Sequence, residues 1–151
     1  MMLSDHISYT EFIRSDAATR RGIKNTPEAE HLVHAVALCV RVLEPVRALF
    51  DKPLHISSGY RCPELNTLIG GSATSQHMQG EAADFEVEGV SVPDVFRRIL
   101  TSDIPFDQLI AEYGEWIHVS YRVNGRREAL VALKNADGET EYKLINPSKV
   151  N

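Results

Sequence analysis

The sequence predicts an α+β domain in which an antiparallel sheet packs against N-terminal helices. Two observations predict it. Apolar residues at helical spacing fill the first third of the chain, while short strand-like runs fill the second half without a repeating strand–helix rhythm. The 151 residues, 43% hydrophobic and 25% charged, suit one globular domain, taken as 1–151, that buries its own core.

Residues 1–26 read as irregular except for a short helix over Tyr9–Ile13. A helix start follows, with Thr26 as N-cap, Pro27 at the first helical position and Glu28 favourable to the helix dipole. Leu32, Ala35, Val36, Cys39, Leu43, Val46 and Leu49 then recur three and four apart, as one apolar face of a long helix does. Pro45 kinks that helix or ends its regular part, because it lacks an N–H and crowds the preceding turn.

Leu54–Ser58 reads as a strand, Gly59–Pro63 as a turn and Pro63–Ile69 as a short helix closed by Gly70 and Gly71. A loop to Gly80 leads into a strand over Ala82–Glu88. Val92–Thr101 is a second amphipathic helix, with Val95, Phe96, Ile99 and Leu100 facing inward. Strands follow at Gln108–Glu112, Trp116–Tyr121 and Glu128–Leu133, and a last one near Tyr142–Leu144.

The formal net charge of −5 argues against a nucleic-acid partner, which requires a basic footprint. Arg122, Arg126 and Arg127 form the densest basic cluster and read as a solvated face. Cys39 falls on the apolar helix stripe and Cys62 in a turn, so two cysteines make no disulfide framework. The N-terminus shows no basic start, apolar core or cleavage site, which predicts no secretory signal. No run of ~18 apolar residues exists to insert in a membrane.

Chemistry concentrates in three segments: Ser57–Arg61, Ser75–Asp84 and Glu115–Ser120. His77 lies in a loop feeding the strand of Asp84, and His118 lies on another strand. A catalytic zinc site uses three protein ligands of this kind plus water. Asp84, flanked by Ala82, Ala83, Phe85 and Val87, is a carboxylate on a buried strand, which is costly unless paired or metal-bound. Glu115, three before His118, suits a general base beside the metal, and Glu112 competes for that role. Arg61 suits a substrate carboxylate or an oxyanion. His6, His31, His34 and His55 have no partner at metal spacing and receive no role.

Ser-x-His-x6-Asp, followed by Glu-x-x-His and preceded by a Ser-Gly-Tyr-Arg turn, resembles the zinc D-Ala-D-Ala carboxypeptidase and dipeptidase family. That family is related to lysostaphin-type endopeptidases and to the hedgehog signalling domain. The resemblance runs from about Ile7 to Tyr121, and GGSATSQHMQGEAADF with FDQLIAEYGEWIHVSY looks closest to small phage and prophage members. It implies a hedgehog-like fold and a zinc peptidase acting on peptidoglycan stem peptides, as a D-Ala-D-Ala carboxypeptidase or an endolysin-type endopeptidase. By that resemblance His77, Asp84 and His118 hold zinc, Glu115 is general base and acid, Arg61 stabilises the oxyanion and Ser75 binds substrate. The expected protein is a monomer made in the cytoplasm that reaches the cell wall after phage-mediated release. A non-catalytic zinc-binding or virion structural module on the same fold is the alternative.

Overall fold

The computed structural model describes residues 1–146. The last five residues of the expected 1–151 domain therefore lie outside the described part. Helix α1 (Tyr9–Ile13) is capped reciprocally by Ser8 and Glu11. A helix absent from the sequence expectation follows: α2 (Asp16–Arg21), capped by Ser15 and closed by Gly22 in the left-handed region.

The next helix starts later than the sequence predicts. Helix α3 spans Ala29–Leu38 with Glu28, not Thr26, at its N-cap. The cause is Asn25. Its buried amide donates to the Ile13 and Tyr60 carbonyls and accepts from Cys62 N–H, which draws the chain before Glu28 into the body.

The expected long helix is interrupted. A π-helical segment, Cys39–Leu43, joins α3 to α4 (Glu44–Phe50), and Glu44 N–H reaches back to Cys39 O. Pro45 sits in the first turn of α4, so the wide turn removes the need for its missing N–H. The extra residue also rotates the buried face. Leu38 and Val42 are fully buried, whereas Val36, expected inside, is 40% exposed.

Six strands form one sheet in the order β1 (Leu54–Ser58), β2 (Ala82–Val87), β4 (Trp116–Ser120), β3 (Gln108–Glu112), β5 (Glu128–Lys134) and β6 (Thr140–Leu144). The α+β class holds, with one difference: β3 and β5 pair in parallel, the other neighbours antiparallel. The connection from β4 to β5 crosses the start of β3, so β5 enters on the far side of β3 running the same way. Helix α5 (Pro63–Leu68) and a 3-10 turn (Gln76–Gln79) lie between β1 and β2, and α6 (Val92–Leu100) lies between β2 and β3.

One face of the sheet is core. Ala83, Phe85, Val87, Leu109, Ala111, Ile117 and Val119 join Leu38, Val42, Val46, Val95 and Ile99 in the main apolar cluster. Strand alternation sends Asp84, Ile110, Trp116 and His118 to the other face.

The arginine cluster is exposed, as expected of a solvated face, and it is also an anchor set. Arg126 grips buried Asp107 through its backbone N–H at 2.9 Å, its Nε at 3.1 Å and its Nη2 at 2.9 Å. Arg127 donates to the carbonyls of Leu100, Ser102 and Ile104 past the end of α6 and stacks over Phe106. Arg122 pairs with Glu81. Charge-assisted hydrogen bonds of this kind fix the β4–β5 crossing.

Candidate active site

The register sets the site. Asp84 on β2 stands opposite His118 on β4, so both side chains leave the same face. His77 comes from the 3-10 turn that precedes β2. Ser75 caps that turn by accepting from His77 N–H, and Gly80 closes it in the left-handed region. A Cβ at Gly80 would lie 2.2 Å from the His31 carbonyl oxygen, so only glycine lets the turn lie against α3. His34 on α3 bonds Gln79 O at 2.8 Å, and His31 stacks on Tyr60. Two histidines without an expected role thus brace the site, His34 on the turn that carries His77 and His31 on Tyr60 beside Gly59.

One ligand-type atom from each of His77, Asp84 and His118 lies within 4.8 Å of the others. His118 Nδ1 is 2.9 Å and His77 Nε2 3.3 Å from Asp84 Oδ1. His77 is buried, while the Asp84 and His118 side chains are 17% and 13% exposed, so the cluster is reachable from one side.

The tautomer of His77 follows from its partner. Its Nδ1 lies 2.7 Å from Gly59 O, and a carbonyl only accepts, so Nδ1 carries the proton. Nε2 therefore presents a lone pair, buried and without a hydrogen-bond partner, towards a carboxylate oxygen. Two acceptors facing each other in a buried site call for a cation between them. Imidazole nitrogen and carboxylate oxygen are also a donor set that suits zinc, with the Gly59 carbonyl orienting the ring from outside.

Electrostatics agree. Burial pushes the His77 imidazole below its ordinary value, which favours the neutral form a metal requires. Burial would push the Asp84 carboxyl up, but the neighbouring His77 and His118 outweigh it and hold Asp84 well below the usual carboxylate range.

Arg61 follows the turn that supplies Gly59. Its N–H donates to His77 O, and its half-buried guanidinium interacts with Asp84, its Nε buried without a hydrogen bond. Burial lowers the Arg61 pKa, and Asp84 opposes that.

Glu115 lies in the β3–β4 loop, exposed, and its N–H donates to Glu112 O. Tyr113 and Gly114, both with positive φ, form the tight turn, leaving Glu115 as the extra residue before β4. Glu112, half-buried at the end of β3, shares the face of His118. Burial raises its pKa, His118 lowers it and Asp84 adds to the rise.

Residues the sequence did not single out complete the frame. Gln76, next to His77, packs beside Asp107, whose carboxyl Arg126 holds at about 2. The only signal for Asp107 was an acidic residue in an apolar run before a strand.

The α+β fold thus presents a His–Asp–His cluster, its first histidine buried, that is able to hold a metal. The sequence model of the family Peptidase M15 matches residues 5–120, and the chain belongs to that family. It is therefore a metallopeptidase of a family acting on peptidoglycan-type substrates. No curated protein matches the chain. Among the described residues no helix is long and apolar enough to cross a membrane.

Proposed function

We propose that the chain is a zinc peptidase that hydrolyses stem-peptide bonds of bacterial peptidoglycan, with His77, Asp84 and His118 holding the metal. The observation that carries the reading is the buried, unpartnered lone pair of His77 Nε2 facing the carboxylate of Asp84 beside His118. Zinc, when bound, supplies Lewis-acid polarisation of the scissile carbonyl and acidifies water.

The chain supplies the rest. Glu115 takes a proton from the attacking water as the carbon–oxygen bond forms, then passes it to the leaving nitrogen as the carbon–nitrogen bond breaks. Glu112, half-buried on the face of His118 and within electrostatic reach of His118 and Asp84, is the competing base. Arg61 donates to the oxygen that gains charge, its guanidinium partly shielded from water. Ser75 has its oxygen committed to His77 N–H and its hydroxyl hydrogen left to donate to substrate.

The reading assigns 1–151 to one catalytic domain that works as a monomer on the cell wall. The substrate is a D-Ala-D-Ala end or an internal stem-peptide bond. The test is release of fragments from purified peptidoglycan, followed by mass. The parent releases peptides whose masses name the bond. Glu115→Ala keeps its metal and releases none. Retained turnover in Glu115→Ala with loss in Glu112→Gln moves the base to Glu112. Intact peptidoglycan with zinc-loaded parent contradicts the proposal and favours a non-catalytic or virion module.

A further inference from the structure

Two residues that meet at Gly71 each hold a buried polar atom without a hydrogen bond: Oδ1 of Asn66 and Nε of Arg61. Asn66 lies on the buried side of α5. Its Nδ2 donates to the Ser72 carbonyl at 2.8 Å, and a carbonyl only accepts, so the orientation of the carboxamide is fixed. Its backbone carbonyl accepts from Gly71 N–H at 2.8 Å, and Ser72 O also accepts from Ser75 N–H. Asn66 thus ties α5 to the loop that leads to His77. With Nδ2 committed to Ser72, Oδ1 is left withdrawn from water and unpaired, which is costly for an acceptor.

Gly71 shows what Oδ1 faces. A Cβ there would lie 2.1 Å from Asn66 Oδ1 and 3.0 Å from Arg61 Nη1. The acceptor and the cation therefore crowd one spot. Gly71, unlike Gly70, does not have a positive φ, so the contact and not the backbone twist calls for glycine.

Arg61 supplies the complementary donor. Among the described residues its guanidinium makes no hydrogen bond, and Asp84 is its electrostatic partner. A turn of the guanidinium about its last bonds brings an Nη N–H onto Asn66 Oδ1. The group carries its N–H donors in a rigid plane, so an acceptor at one edge sets the aim of the others. A neutral carboxamide does this without cancelling the positive charge, as a carboxylate in its place would.

We propose that Asn66 is a positioning residue: its Oδ1 accepts from the Arg61 guanidinium and aims the remaining N–H groups at the substrate oxygen that gains charge. This rests on the peptidase reading above, in which Arg61 serves that oxygen. Asn66 itself, 2% exposed, touches no substrate. Gly71 keeps open the room in which the two side chains meet.

The first arm of the test needs no turnover. Side-chain nitrogen NMR, with the Arg61 signals assigned through Arg61→Lys, reports rotation of the guanidinium. Arg61 is expected to show hindered rotation and separate Nη signals in the parent, and merged signals in Asn66→Ala. Gly71→Ala, which removes no hydrogen-bonding group, is expected to do the same and carries the test if Asn66→Ala does not fold. The second arm is kinetic, on a peptidoglycan peptide with zinc-loaded protein. Each variant is expected to lower kcat roughly tenfold, with KM and zinc affinity unchanged. In an Arg61→Ala background neither change should lower the rate further. Losses that multiply with that of Arg61→Ala, or a matching fall in zinc affinity, assign Asn66 to the loop alone and overturn the proposal. Rotation of Arg61 as free in the parent as in Asn66→Ala overturns it too. Hindered rotation that Asn66→Ala releases, in a parent that hydrolyses nothing, supports the contact and counts against the peptidase reading alone.

Discussion

His77 and Gly59 are joined by a 2.7 Å hydrogen bond from the imidazole Nδ1 to the glycine carbonyl, between residues 18 apart in sequence. That bond fixes which nitrogen of His77 is free for a metal and ties the metal turn to the turn that carries Arg61. Gly59 is itself confined, since Phe12 donates no space. A Cβ there would lie 2.2 Å from Phe12 O and 2.9 Å from the Phe12 ring. Gly59→Ala must therefore shift the carbonyl that orients His77. We expect a loss of about 1–3 kcal/mol in urea stability and a roughly 10–100-fold loss of zinc affinity, read by chelator competition. Unchanged zinc affinity contradicts the orienting role.

The Asp107–Arg126 clasp gives a pH signature. Arg126 holds the folded Asp107 carboxyl at about 2, against about 3.9 in an unfolded chain. A depressed folded pKa adds stability above the unfolded value, and that stability is lost as pH falls from about 4 towards 2. With the guanidinium half in solvent, the contribution is about 1–2 kcal/mol. Metal-free parent and Arg126→Ala, unfolded in urea at several pH values, should differ most above pH ~4 and converge towards pH ~2. A gap that does not shrink in acid contradicts the assignment.

The two thiols should differ in reactivity. Cys39 is fully buried, and burial pushes its thiol up to about 12, with Glu44 and Glu11 adding to the rise. Cys62 is half-buried, and both are free. Since the thiolate is the nucleophile, iodoacetamide at pH 8 should label at most one equivalent in the folded protein, at Cys62, and two in urea. Labelling of Cys39 in the folded protein contradicts the packing of the π-helical segment.

What the sequence could and could not show follows from range. His77, Asp84 and His118 were legible because a carboxylate among Ala82, Ala83 and Phe85 is conspicuous on a buried strand. The carbonyl that orients His77 was not, because it depends on how the Gly59 turn docks. Pro45 announced a break, but periodicity could not reveal a π-helical insertion that turns Leu38 and Val42 inward and Val36 outward. The grip of the exposed Arg126 on Asp107 was not legible because its partner is 19 residues away. The parallel β3–β5 pair escaped for a related reason: it depends on the crossing that Arg126 anchors. Glu112 and Glu115 stayed ambiguous because a three-residue loop breaks the alternation that would assign their faces.

The central claim is that His77, Asp84 and His118 form one metal site on which peptidase activity depends. The most direct measurement is a zinc titration of chelator-stripped protein, with peptidoglycan fragment release recorded at each point beside His77→Ala. Activity should return in proportion to added zinc and level off at about one equivalent, while His77→Ala binds zinc weakly and stays inactive. Full activity in the stripped protein, or zinc-restored activity in His77→Ala, would contradict the account.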